Sequence, residues 1–218
     1  MATKGFIFDL DGVIVFTDRF HYQAWKQMAD RIGIYFDETI NNRLRGVSRM
    51  ESLEIILERY EGKPLSAEEK EQLAEEKNET YRRLLNSMMP GDVSDEVRAT
   101  LAALKDAGYL LAIGSSSKNA KFILERVALT GAFDAISDGT NITRSKPDPE
   151  VFLKAAEFLG LQAAECGVIE DAYAGIDAAK VANMTAIAIG DATSYEKADF
   201  RLSTFADLQK VAEELRTQ

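Results

Sequence analysis

The chain holds a single cysteine, Cys166, so it can form no internal disulfide. It also lacks any apolar run long enough to cross a bilayer, which takes about 20 residues. The start, Met1-Ala2-Thr3-Lys4, leads only into a short apolar stretch that Asp9 interrupts. Neither a signal peptide nor a membrane span is expected, and these features together point to the cytoplasm. Basic clusters are missing as well. With 26 Lys and Arg against 36 Asp and Glu, the formal charge is -10. A general nucleic-acid binder draws its affinity from clustered cations, so that class is excluded. An anionic substrate must then be held by a few placed cations. There are four prolines and no repeat or low-complexity segment.

What is present suits a globular enzyme. Hydrophobic residues make up 46% and charged residues 28% of 218 residues, enough apolar side chain for a core domain with a smaller attachment. Short apolar runs end abruptly in polar residues. Gly5-Phe6-Ile7-Phe8 stops at Asp9-Leu10-Asp11-Gly12, and Tyr109-Leu110-Leu111-Ala112-Ile113 runs into Gly114-Ser115-Ser116-Ser117. Gly167-Val168-Ile169 stops at Glu170-Asp171, Thr185-Ala186-Ile187-Ala188-Ile189 at Gly190-Asp191, and Phe133-Asp134-Ala135-Ile136 at Ser137-Asp138. Such runs read as buried strands. Helical patterns over residues 95–107, 118–129 and 151–159 separate them, the last with Asp148 as N-cap and Pro149 at the first helical position. Alternating strand and helix predict a parallel α/β sheet whose polar strand ends converge at one edge.

Residues 18–85 break this alternation with helical periodicity only. Ser48-x-x-Glu51 and Ser66-x-x-Glu69 match the capping box that opens a helix. The segment reads as a helical insert over residues 18–86, with residues 1–17 and 87–218 forming the core. Its two crossings, near Phe16-Thr17-Asp18 and Met88-Met89-Pro90-Gly91, could serve as hinges.

Several strand ends carry chemistry-bearing residues. Asp9 and Asp11 are two apart, so in extended chain their carboxylates share a side. A like-charged pair persists when a cation neutralises it or when one member stays protonated as a general acid, though Asp-x-Asp-Gly also suits a capped turn. Ser115-Ser116-Ser117-Lys118, between strand and helix, can present hydroxyls and N–H groups to a phosphate or can simply cap the helix. Lys146, in Arg144-Ser145-Lys146-Pro147-Asp148-Pro149, is either held by stiff backbone for an anion or lies on the surface. Glu170 and Asp171 end a third strand, and as neighbours they should face opposite ways, so that one approaches a metal more directly.

Asp9-Leu10-Asp11-Gly12-Val13, Ser115, Lys146 and Glu170-Asp171 resemble, in order, the four motifs of the haloacid dehalogenase superfamily. The resemblance spans essentially the whole chain. It implies a Rossmann-like parallel-sheet core with an inserted helical cap domain. Asp9 becomes the nucleophile and Asp11 the general acid/base, with Ser115 and Lys146 holding the reacting phosphate. Mg2+ is implied on Asp9, Glu170 and Asp171, completed by the backbone carbonyl of Asp11.

The insert resembles the β-phosphoglucomutase branch through His21-Tyr22-Gln23-Ala24-Trp25, Arg45-Gly46-Val47-Ser48-Arg49-Met50-Glu51-Ser52-Leu53 and Lys77-Asn78. This implies that Arg49, beside Gly46, Val47 and Ser48, holds the phosphate that is not reacting. Lys77 and Trp25 border the sugar, His21 couples substrate arrival to closure, and Ser117, Lys118 and Asn119 assist phosphate binding. The resemblance departs at Phe16, where members commonly have Asp.

The implied reaction interconverts β-glucose 1-phosphate and glucose 6-phosphate through an aspartyl-phosphate and a bisphosphate. The partner is a small phosphorylated sugar, with no nucleic acid or membrane, and the chain is expected to act as a monomer. A phosphatase of the same superfamily is the nearest rival. A phospho-accepting signalling domain would use similar residues, but the long insert disfavours it.

Overall fold

In the computed structural model, which describes residues 2–44 and 47–216, the run Gly5–Phe8 forms β1 with all four residues buried. The chain then builds four helices: α1 (Asp18–Arg31), α2 (Glu38–Asn42), α3 (Arg49–Leu57) and α4 (Ala67–Leu85). From there helix and strand alternate through α5 (Asp95–Asp106), β2 (Leu110–Gly114), α6 (Ala120–Arg126), β3 (Ala135–Ser137) and α7 (Glu150–Leu159). The chain finishes with β4 (Cys166–Glu170), α8 (Tyr173–Val181), β5 (Thr185–Ala188), β6 (Phe200–Arg201) and α9 (Leu208–Arg216).

The strands pair in parallel in the order β3-β2-β1-β4-β5-β6. Parallel strands need crossovers that cover both faces, which is why the runs are apolar without alternation. Ile7, Val168 and Ala186 are fully buried together with Val151 and Phe152 of α7 and Ile176 of α8. Strand order reverses between β1 and β4, and in such sheets the ligand crevice lies beyond the carboxyl ends at that point. Phe8 pairs with Ile113 of β2 and with Ile169 of β4. Asp9, Ser115 and Glu170-Asp171 therefore leave the sheet at the same edge.

Residues 1–16 and 89–218 form one compact unit and 17–88 another. Residues 17, 87 and 88, which the sequence reading placed in the core, thus belong to the helical unit. That unit has its own apolar centre, including Trp25, Met28, Phe36, Leu53, Ile56 and Leu73. Both capping boxes form: Ser48 and Ser66 accept from the N–H of Glu51 and Glu69, whose carboxylates accept from the N–H of the two serines.

Two expectations need correcting, and one element was unforeseen. The N-cap of α7 is Pro149 rather than Asp148, because the helix opens one residue later; Asp148 still accepts from the Glu150 N–H at 3.0 Å, satisfying one of the orphan donors. Helix α6 covers only Ala120–Arg126 of the predicted 118–129, and Ala128 takes a positive φ of 55° just past its end. Strand β6 was not foreseen, since two residues carry no periodicity.

Candidate active site

Asp9 follows β1 directly, and its N–H donates to the Ile169 carbonyl at 2.9 Å, extending the ladder to β4 by one step. That bond fixes Asp9 beside the end of β4. Its side chain is buried, and Lys146 donates to its Oδ1 at 2.5 Å and to Glu170 Oε1 at 2.5 Å. The other Glu170 oxygen accepts from the Ala172 N–H at 2.9 Å. Asp9, Glu170 and Asp171 each offer a carboxylate oxygen within 4.8 Å of the others. Glu170 and Asp171 therefore do not diverge as adjacent strand residues should. Strand β4 ends at Glu170, so the two-residue alternation no longer holds at Asp171.

Gly12 makes this convergence possible. Its φ of +91° favours glycine, and its N–H donates to the Val15 carbonyl at 2.7 Å, closing the loop after Asp11. A Cβ at Gly12 would stand 2.0 Å from Asp171 Oδ2, so the loops after β1 and β4 abut only because this residue has no side chain.

One ammonium faces three carboxylates. Burial works against the Lys146 ammonium, but Asp9 and Glu170 outweigh it and its pKa is raised. Burial raises the Glu170 carboxyl despite the attraction of Lys146. Asp171 is pushed up to about 8, first by burial and then by repulsion from Glu170, Asp9 and Asp11. A pocket of crowded, under-neutralised hard oxygens suits a divalent cation such as Mg2+, which needs only one or two carboxylates beside water and phosphate oxygens. Asp11 lies outside this carboxylate cluster; the sequence reading gave it a backbone ligand.

Ser115, buried at the end of β2, accepts on its Oγ from the Ser117 N–H at 3.2 Å. Ser117 Oγ in turn accepts from the Asn119 N–H at 3.1 Å, Asn119 is buried, and Lys118 is exposed. The loop is thus wound by its own hydroxyls.

In the helical unit, Lys77 donates to His21 Nδ1 at 2.8 Å, since an ammonium has only donors. The same ammonium lies 4.7 Å from the ring centroids of Trp25 and of Tyr81, and Tyr81 stacks on His21 at 4.0 Å. Burial, then Lys77 and Arg49, hold the His21 pKa well below 6.5, so its ring is neutral at pH 7. Trp25, expected to border the sugar, is 2% exposed and packs in the centre of the helical unit. Arg49 begins α3 and pairs with Glu75 at 3.0 Å, while Asn78 donates to the other Glu75 oxygen. Val47 is exposed and Ser48 is the α3 cap. Gly46 lies outside the described residues. Tyr81 and Glu75 were missed by the sequence reading. Tyr81 falls four residues after Lys77 on the same helix face, a spacing that could have flagged it.

Phe16 is 71% exposed at the end of the core's first segment. The acid that follows it, Asp18, is taken by the side-chain amide of Asn41 at 3.2 Å.

Comparison with known proteins resolves the family. The haloacid dehalogenase-like hydrolase family matches residues 3–183. The chain belongs to that family. It is 42% identical over 207 residues to a beta-phosphoglucomutase of Bacillus subtilis, covering 94% of this chain and 91% of that one. A phosphorylated carbohydrates phosphatase of Thermotoga maritima is 32% identical over 83% of this chain and 82% of its own length. Among solved structures, a beta-phosphoglucomutase from Clostridium difficile superposes with a TM-score of 0.89 at 36% identity, covering 99% of this chain and 100% of that one. The parallel sheet with helices is the architecture of this family. No helix among the described residues is long and apolar enough to cross a membrane.

Proposed function

We propose that the chain interconverts β-glucose 1-phosphate and glucose 6-phosphate by phosphoryl transfer through an aspartyl-phosphate on Asp9. The observation that carries this reading is Asp9 itself: buried, hydrogen-bonded by Lys146 through one oxygen, and crowded by Glu170 and Asp171. A buried carboxylate with one oxygen held and the other left for attack is arranged as a nucleophile. The 42% identity to a beta-phosphoglucomutase supports the choice of sugar phosphate.

Asp9 attacks phosphorus, and the bond to the leaving oxygen breaks. Lys146 offsets the charge on Asp9, and Ser115 donates to a phosphoryl oxygen with the N–H groups of the loop 115–119. Asp11 protonates the leaving hydroxyl, then removes the proton of the next acceptor. Asp9, Asp171, Glu170 and the Asp11 carbonyl would hold Mg2+, which when bound neutralises charge shared by nucleophile and phosphate. Arg49, beside Val47 and Ser48, would hold the distal phosphate of the bisphosphate by its planar fork, with Lys77 near the sugar. The acceptor is a sugar hydroxyl rather than water; in the same reading the protein would act on a small phosphorylated sugar, without nucleic acid, as a monomer in the cytoplasm.

Incubation with β-glucose 1-phosphate, Mg2+ and a glucose bisphosphate tests this reading. Glucose 6-phosphate should accumulate well ahead of free phosphate. Stoichiometric release of free phosphate instead would favour the phosphatase reading, which the likeness to the Thermotoga maritima phosphatase keeps in view.

A further inference from the structure

The turn after β3 is built against the loop that carries Ser115. Ser115 N–H donates to the Ser137 carbonyl at 3.0 Å, and Gly139 N–H donates to the Ser117 carbonyl at 3.2 Å. Gly139 leaves no room for a side chain: a Cβ there would lie 2.4 Å from the Ser116 carbonyl oxygen and 2.8 Å from the Lys118 nitrogen. Both atoms are backbone, so no rotamer change could relieve the clash. The turn in its turn is tied internally. Asp138, fully buried, accepts on Oδ1 from the Thr140 N–H at 2.9 Å and from the Thr140 hydroxyl at 2.5 Å. Asp138 N–H donates to Asn141 Oδ1 at 2.7 Å, and Asn141 Nδ2 donates to Ser137 Oγ at 3.1 Å. On its other side Asp138 Oδ2 faces Lys121 at 3.9 Å.

We propose that residues 138–141 form a positioning element for the phosphate-binding loop, with Gly139 as the point of closest approach. The inference rests on the phosphoryl-transfer reading above. None of these residues needs to touch substrate. The turn acts as a wall against the Ser116–Lys118 backbone, and the loop's own bonds, Ser117 N–H to Ser115 Oγ and Asn119 N–H to Ser117 Oγ, pass that placement to the hydroxyls. A loop braced on one side presents its donors without reorganising as charge develops on the phosphoryl oxygens. A displacement of about 1 Å at such a site can cost on the order of 10²-fold in rate.

The test compares Gly139→Ala with Gly131→Ala, a control glycine whose added Cβ would meet nothing within 4 Å. Turnover is measured with β-glucose 1-phosphate and with acetyl phosphate, and calorimetry gives the affinities for inorganic phosphate and for Mg2+. Gly139→Ala should lower kcat/KM for both donors by a similar factor, on the order of 10²-fold. Its phosphate affinity should weaken while Mg2+ affinity holds, and Gly131→Ala should match wild type. Asn141→Ala loosens the turn without adding atoms and should show the same pattern at about tenfold, which decides the matter should Gly139→Ala fail to fold. Wild-type rates and phosphate affinity in folded Gly139→Ala would overturn the proposal. So would a parallel loss of Mg2+ affinity, which would mark general damage to the site. A wrong functional reading shows up separately, as a wild type that turns over neither donor, and phosphate affinity in the variants still decides the positioning role.

Discussion

Lys146 donates to Asp9 Oδ1 at 2.5 Å although 137 positions separate the two residues, and their side chains are only 8% and 11% exposed. A pair so enclosed is costly to leave half-made, and it joins the proposed nucleophile to the cation proposed to hold the phosphate. Asp9→Asn keeps an oxygen to accept from Lys146, so the fold should survive while the nucleophile is lost. Incubation with acetyl phosphate and mass mapping should find phosphate on Asp9 in wild type and none in the variant. Phosphate mapped to another residue would refute the aspartyl-phosphate.

Lys146→Met tests the same pair from the other end. Removing one partner of a buried ion pair typically costs about 3–5 kcal/mol, and here it leaves three carboxylates facing one another. Urea unfolding should show a loss of that order without metal. Mg2+ should recover part of it and should stabilise the variant more than wild type, because it replaces a missing positive charge. Equal Mg2+ stabilisation of both proteins would argue that the cation does not bind among Asp9, Glu170 and Asp171.

Asp11→Asn removes a proton donor while keeping size. With a sugar phosphate, turnover should fall by about 10²- to 10⁴-fold. With acetyl phosphate, whose leaving group needs little protonation, phosphorylation of Asp9 should be far less affected. Equal losses with both donors would leave Asp11 without a proton-transfer role.

Arg49 should matter only where the bound sugar carries a phosphate away from the reacting centre. Its guanidinium is held by Glu75 at the start of α3, where the helix N-terminus also favours an anion. Arg49→Ala should lose tenfold or more in kcat/KM for the sugar phosphate, the equivalent of about 1.5–3 kcal/mol for a charge-assisted contact. Acetyl phosphate should react at close to the normal rate. Unchanged mutase activity would remove Arg49 from the distal-phosphate site.

His21 is the sole histidine, and burial with Lys77 and Arg49 keeps its folded pKa well below the ordinary 6.5. As pH falls through 6.5 the unfolded chain takes up the proton first, so unfolding is favoured and stability declines. Above 6.5 this contribution is fully present. The difference in urea midpoint between wild type and His21→Gln, followed from about pH 7.5 to about pH 5.5, should therefore shrink on acidification, since carboxylate effects cancel in the difference. A difference that grows as pH falls would mean that His21 is held protonated.

Order, element type and chemistry were written locally. Apolar runs without alternation announced buried parallel strands, Ser48 and Ser66 announced two helix starts, and the polar ends of β1, β2 and β4 carried the chemistry-bearing residues. These are readable because period, capping and strand termination depend on neighbours a few residues apart. Motif order along the chain was enough to point to the haloacid dehalogenase-like family. What the sequence could not decide is which long-range partners meet. Nothing near Lys146 says that its ammonium divides between Asp9 and Glu170, or that Asp171 turns back to join Glu170 instead of facing away. A tryptophan on a helix is more often core than substrate platform, yet the family resemblance put Trp25 beside the sugar, and only packing placed it in the helical unit's centre. Gly12 and Gly139 look like ordinary turn residues, yet each marks a place where two distant loops approach too closely for a side chain. Such facts belong to the tertiary structure because close packing and buried charge are settled by every element that surrounds a residue, and those elements come from all along the chain.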